Sequence, residues 1–293
     1  MRYRHFGDSG KAVSAVSLLL TETPGVYSAA QWRGMIFSAM ENGVNCFDAP
    51  AGCEAIEEGL GAALQAVERR LLFVILRVRG DHQAPMNAAR LSELLRGALS
   101  RTGAAYFDVL MLDSAAIASL TQDGRELLAE VRAAAIALKI GVSGDDDIAA
   151  SCIGAEPFDV LATPFNLTSG WTERRRLREA AEANMVIIAY DPAPLEMLQA
   201  NGAGVGKATR KNPLNGSGTY AFLHDTRGWT AEELCLAYVL TEPSLATVQC
   251  QIAHAEMIET LANVAERDPP TGLSAQIEMA RFSKEREQQK KRA

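Results

Sequence analysis

Several features are missing from this 293-residue chain, and each absence removes a class of function. No stretch approaches the roughly 18 uninterrupted apolar residues of a spanning helix, so no membrane span is expected. Positive charge is in deficit: 29 Lys and Arg stand against 36 Asp and Glu, for a formal charge of -7. A phosphate backbone would find no global positive field, and nucleic acid is not an expected partner. The opening MRYRHFGDSGK places charges where a signal peptide needs an apolar region, which makes a cytoplasmic protein the expectation. Five cysteines, Cys46, Cys53, Cys152, Cys235 and Cys250, are odd in number, scattered and free of any CxxC pair. That excludes a disulfide framework and predicts buried free thiols. His5, His82, His224 and His254 fall in different segments, so no metal site is expected. Gly202-Ala203-Gly204-Val205-Gly206-Lys207 lacks the opening glycine and closing hydroxyl of a phosphate loop, because Asn201 and Ala208 stand there.

What is present is a rhythm. With 48% hydrophobic and 22% charged residues the composition is that of a globular protein, and short apolar runs alternate with amphipathic segments from residue 13 to about 260. The spacing predicts strands at Val13 to Leu20, Val44 to Asp48, Leu72 to Val78, Asp108 to Leu112, Lys139 to Ser143, Asp159 to Thr163, Val186 to Tyr190 and Ala246 to Cys250. Between the first two, Trp32, Ile36, Ala39 and Met40 share one helical face over residues 29–42, with Ser28 to cap the start and Gly43 to end it. Eight such units predict a (β/α)8 TIM barrel, with a doubly wound open sheet as the alternative. Arg2 to Phe6 and Lys11 to Ser14 flank a Gly-Asp-Ser-Gly turn, which predicts an N-terminal β-hairpin closing the barrel floor.

On this reading residues 1–282 form a single barrel and 283–293, SKEREQQKKRA, a charged tail that is a frayed helix or disordered. The Gly-, Asn- and Thr-rich stretch from Asn201 to Thr230 predicts a mobile loop over one barrel end. The run Glu173-Arg174-Arg175-Arg176 with Arg178 reads as a solvated helix face, with a basic partner patch as the alternative.

Chemistry in such a barrel is built where strands end at the C-terminal face, which selects Asp48, Arg77, Asp113, Ser143 and Tyr190-Asp191-Pro192. At these places the sequence resembles the aldo-keto reductase family. MRYRHFGDSGKAVSAVSL is similar to the family's opening, and GVNCFDAPAGCEAIEEGLGAAL to the strand, loop and helix that carry Phe-Asp-Thr-Ala-x-x-Tyr-Gly. TGAAYFDVLML, LKIGVSG, PFDVLATPFNL and VIIAYDP follow in the order of the family's fourth to seventh strands.

The resemblance implies reduction of a carbonyl by a nicotinamide hydride through four side chains, and three of those positions have changed. Asp48 stands at the family's aspartate, but Cys53 replaces the proton-donating tyrosine, Arg77 the lysine and Asp113 the histidine. Reduction makes an alkoxide that needs a proton donor within hydrogen-bond reach. A thiol is a weak donor on a shorter arm than a phenol, and an arginine does not release its proton. The expectation is therefore an ion network of Arg77 with Asp48 and Asp113 and no intact catalytic set. The competing expectation makes Cys53 a low-pKa thiolate beside Arg77, serving as redox sensor or nucleophile.

The cofactor positions implied by the resemblance are Ser143 for the carboxamide, Tyr190 for stacking on the nicotinamide, Asp191 and Pro192 beside it, and Glu256 and Glu259 near the adenine end. Gly144, Ala162, Cys250 and Thr260 depart from the family's asparagine, glutamine, glycine and asparagine, and Asn166 and Asn215 have no assigned role. Ile252 replaces the cation that pairs with a 2'-phosphate, so the expected cofactor is NAD(H), with NADP disfavoured and no metal. The combined expectation is a catalytically inactive family homologue that binds NAD(H) and regulates protein partners, a kinase or the division machinery, in bacterial cell-cycle and cell-division control. The alternatives are an active NAD(P)H-dependent oxidoreductase with altered groups and the Cys53 sensor.

Overall fold

The computed structural model describes all residues except 23, 24, 26, 27, 82, 83, 195–219, 221, 253 and 293, and for 283–292 the backbone alone. Eight parallel strands close on themselves: β3 (Val16–Leu19), β4 (Cys46–Pro50), β5 (Phe73–Val78), β6 (Phe107–Asp113), β7 (Ala137–Ser143), β8 (Phe158–Pro164), β9 (Val186–Tyr190) and β10 (Leu245–Cys250), with β10 pairing back onto β3. The closed barrel excludes the open sheet. Ahead of it, β1 (Tyr3–His5) and β2 (Ala12–Ser14) form the expected antiparallel hairpin. The predicted first strand, Val13 to Leu20, is therefore two elements. They part at Ala15, whose amide bonds Arg2 O at 2.8 Å while its carbonyl accepts from Val248 N at 2.9 Å, turning the chain from the hairpin into the barrel.

The helices are α1 (Ala29–Glu41), α2 (Glu54–Ala66), α3 (Ala88–Thr102), α4 (Ser114–Ala118), α5 (Gln122–Ala133), α6 (Asp147–Ser151), α7 (Trp171–Glu182), α8 (Phe222–Asp225), α9 (Ala231–Val239), α10 (Glu256–Glu266) and α11 (Leu273–Arg292). α1 begins as expected, with Ser28 and Gln31 bonding each other's backbone amides in a capping box, and Gly43 takes φ +81° after its end. None of the described helices is long and apolar enough to cross a membrane.

Alternation along the strands builds two apolar layers. Val74, Leu76, Leu110, Leu112, Ile187 and Ala189 face the helices, whereas Phe73, Ile75, Val109, Met111, Val186 and Ile188 fill the bore. Phe6, carried by the hairpin, closes the floor against Phe73 with ring centroids 4.2 Å apart. Just below, buried Asp108 bonds Val74 N and is paired with both Lys11 and Arg69. The bore is filled from its floor, so chemistry is confined to the opposite mouth.

One surface expectation changes, and another is narrowed to the helical one of its two alternatives. The arginine run on α7 is not simply solvated: Arg176 is buried and donates to Thr163 Oγ1 at 3.0 Å and to Asp145 O, and Arg174 reaches Tyr238 and Glu278. The charged run from residue 283 has helical backbone through Arg292, continuing α11. The loop expected from Asn201 to Thr230 lies outside the described residues up to 219; after it come Tyr220, α8 and the Thr230 cap of α9.

Candidate functional site

At the mouth, β4 and β5 pair in parallel and present Asp48 and Arg77 inward. Arg77 Nε donates to Asp48 Oδ1 at 3.0 Å and Nη2 to Oδ2 at 2.5 Å, a two-pronged pair. Nη1 donates to Ser143 Oγ at 2.5 Å, and Nη2 also to Gln249 Oε1 at 3.1 Å. Gln249 returns its amide to Asp48 Oδ2 at 2.6 Å. Arg77, Asp48 and Gln249 thus close a polar ring with Ser143 attached through Arg77, and all four side chains, from β4, β5, β7 and β10, are buried. Burial works against the guanidinium's charge, but Asp48 at bonding distance outweighs it and holds Arg77 above its ordinary value.

Gln249 was not among the sequence-selected residues. The available signal is a long polar side chain inside the apolar run LATVQC. Its direction depends on the register shift between Leu245 and Thr247 where β10 pairs with β9.

The expected three-way network with Asp113 is corrected. Asp113 Oδ1 accepts from Ala116 N at 2.8 Å and Gly80 N at 2.9 Å, so this carboxylate is the N-cap of α4 and tethers the loop after β5. It acts on Arg77 only through its charge. α4 packs so tightly across the mouth that a Cβ at Gly80 would collide with the Ala116 backbone, and one at Gly144 with the Ser114 hydroxyl. Ser114 in turn donates to Asp146 Oδ1 at 2.7 Å. A side chain at Gly144, which stands where the family has asparagine, would therefore displace the Ser114 hydroxyl.

Cys53 is half-buried at the N-terminus of α2; its backbone carbonyl starts the helix, and its side chain makes no capping bond. Burial pushes its thiol up from the ordinary value. Glu22 and Glu57 add to that rise, and Arg79 opposes it. The low-pKa thiolate beside Arg77 is corrected by this arrangement, because Arg77 is engaged elsewhere and carboxylates outnumber cations around the sulfur. The other four cysteines are buried free thiols, as expected, and no group of described residues is arranged to hold a metal ion.

Beside the ring a cleft of about 700 Å³ opens between the ends of β9 and β10 and the helices α9 and α10. Tyr190, Asp191 and Pro192 line one wall, Gln249 and Cys250 the inner end, and Met257, Thr260, Leu261 and Val264 the far wall. Burial raises the Tyr190 phenol, with Asp145 adding to the rise, while Arg77, a hydrogen bond with Ser143 and Arg176 pull it back. Asp191 adopts φ +54° and its carbonyl accepts from Asn166 Nδ2 at 3.1 Å, which gives Asn166 the task of fixing this wall.

Glu256 and Glu259 lie on the first turn of α10 but are exposed and off the lining, where Met257 and Thr260 stand instead. Ile252 is buried in the outer core. Among the described residues no Lys, Arg or His lines the cleft, whereas Asp191, Glu232 and Glu233 do. Asn215 and the 202–207 glycines lie outside the described residues.

A hairpin-floored (β/α)8 barrel with a buried aspartate–cation pair at its mouth and an adjoining long cleft defines the class. The profile of the aldo/keto reductase family matches residues 20–271, and the chain belongs to that family. Among solved structures it is similar to an aldo-keto reductase of Bacillus halodurans in its holo form, at 16% identity and TM-score 0.75, covering 96% of each chain. It is also similar to an aldo-keto reductase of Klebsiella pneumoniae in complex with NADPH, at 18% identity and TM-score 0.71, covering 95% of this chain and 94% of that one. Comparison with curated proteins gives no match.

Proposed function

We propose that this barrel binds NAD(H) without running the family's carbonyl reduction and acts on protein partners, a kinase or the division machinery, in control of the bacterial cell cycle and cell division. One observation carries the first half: the only cation among the four tetrad positions is locked to Asp48, Gln249 and Ser143, and burial with Glu22 and Glu57 outweighs Arg79 in raising the Cys53 thiol. An alkoxide formed at this mouth would find no tuned donor. The pattern resembles that of KidO, a cell-division regulator of this family lacking the reductase residues, and the partner classes rest on that resemblance.

The cleft suits a dinucleotide in shape and in its apolar wall, with Tyr190 for the nicotinamide face and Thr260 at the adenine end; Ser143, the residue for the carboxamide, is off the cleft lining and bonded to Arg77. The bound cofactor would supply a hydride donor or acceptor; what these residues do is orient and enclose it. The acidic rim and the burial of Ile252 favour NAD(H) over its 2'-phosphorylated form. Calorimetric titration with NADH and NADPH, paired with turnover on a panel of aldehydes and quinones, tests this reading. The expected result is NADH binding tighter than NADPH and no turnover; brisk oxidation of either cofactor overturns it.

A second reading has its own support. Tyr190 is a largely buried phenol hydrogen-bonded to Ser143, which accepts from Arg77. In an active oxidoreductase with altered groups, that phenol would be the proton donor. Turnover abolished by Tyr190→Phe would establish it.

A further inference from the structure

The cleft between β9 and β10 is held from behind by groups that do not line it. Its first wall leaves β9 through Asp191, whose φ of +54° lies in the left-handed region that residues other than glycine seldom adopt. Backbone persists in that region where its surroundings hold it there. The turn over residues 165–169 does so: Phe165 N donates to Tyr190 O at 3.1 Å, and Asn166 Nδ2 to Asp191 O at 3.1 Å. The Asn166 amide is aimed by its other end, because Thr168 N and Oγ1 both donate to Oδ1, at 3.0 and 2.6 Å. Ser169 closes the turn, its Oγ accepting from Asn166 N at 2.9 Å and its N donating to Asn166 O at 3.0 Å.

The outer side of that turn meets α11. Arg281 Nη1 donates to Ser169 O at 3.1 Å, and Arg174 Nε reaches the same oxygen at 3.4 Å. One carboxylate holds both guanidinium groups: Glu278 Oε1 accepts from Arg174 Nη2 at 2.9 Å, and Oε2 accepts from Arg281 Nη2. Glu278 Oε1 also accepts from Tyr238 Oη at 3.3 Å, while that phenol accepts from Arg174 at 2.5 Å. Tyr238 stands on α9, the helix whose Glu232, Glu233 and Leu236 belong to the cleft lining. The supports of two walls therefore meet at Glu278, on a helix seated by the buried side chains of Leu273, Ile277 and Ala280.

We propose that Glu278 is a positioning residue for the cleft. By joining Arg281 and Arg174 to Tyr238 it fixes the Asp191 wall against the α9 wall, so the seating of α11 and the occupation of the cleft are coupled. The coupling runs both ways, because a ligand that fits the braced cleft also favours the seated helix. This deepens the reading of the cleft as the cofactor site, while the brace itself is measurable with no cofactor present.

The test is amide hydrogen exchange of the full chain, read by mass spectrometry without ligand. Glu278→Ala is expected to speed exchange about tenfold over both 186–193 and 231–239, whereas Arg281→Met does so only over the first segment and Tyr238→Phe only over the second. Glu278→Gln keeps an acceptor oxygen and should give a smaller rise. Asn87→Ala removes the cap of α3, which does not line the cleft, and controls for general destabilisation. Faster exchange in α11 alone, or the same rise in Asn87→Ala, overturns the proposal. NADH titration then reads the coupling: Glu278→Ala should weaken binding about fivefold or more, and bound NADH should slow exchange over 273–282. Affinity in Glu278→Ala equal to the parent's overturns the coupling. A parent that binds no NADH overturns the cofactor reading instead, and the exchange result still decides the brace.

Discussion

Replacing Arg77 by methionine tests the closed ring most directly. Methionine fills much of the same volume but removes all four donor contacts, to Asp48 Oδ1 and Oδ2, Ser143 and Gln249. Asp48 has no solvent exposure, so its carboxylate would be left buried with only the Gln249 amide at 2.6 Å. Breaking a buried pair from one side costs about 3–5 kcal/mol, and the surviving amide bond puts the expectation near the lower value, about 3 kcal/mol. Adding Asp48→Asn removes the stranded charge, so the double variant should recover most of that loss. The assay is urea unfolding of the parent, both single variants and the double variant, comparing midpoints at unchanged slope. Arg77→Met within about 1 kcal/mol of the parent, or a double variant no more stable than Arg77→Met, would refute the reasoning.

Other expectations follow from the same mouth and from the thiols. Because burial and the carboxylates Glu22 and Glu57 raise the Cys53 thiol, iodoacetamide should modify it more slowly than a free cysteine at pH 7, with the rate climbing above the ordinary thiol range; fast labelling at neutral pH would restore the sensor reading. Burial pushes the thiols of Cys235 and Cys250 up to about 12. Below pH ~8.5 both folded and unfolded chains keep these protons, but from there to about 12 only the folded chain does, so stability should fall with rising pH by on the order of 1 kcal/mol per unit per thiol. Replacing both by alanine and valine should flatten that decline in denaturation midpoints. Asp113→Ala should destabilise by about 1–2 kcal/mol through loss of the α4 cap, without altering NADH affinity. Cys53→Tyr with Arg77→Lys should not restore reductase turnover, because Asp113 still replaces the histidine and is held by two amides.

The sequence by itself determined the barrel, its hairpin floor and the residues that end each strand, because those are local matters. A period of two or near four residues, a capping serine and a glycine after a helix act within a few positions. Seven of the eight strands overlap their expected ranges with one element each, and the remaining one divided because a hairpin strand and a barrel strand follow one another with only Ala15 between them. The missing tyrosine, lysine and histidine were equally legible. What Arg77 and Asp113 do instead was not: a guanidinium between several acceptors takes those that closure brings nearest, and Asp113 met two backbone amides before it could meet Arg77. Gln249 lies 201 residues from Asp48, and a register shift in β10 governs the side to which it points. Such a choice depends on how eight strands close together, and no single stretch of chain contains it.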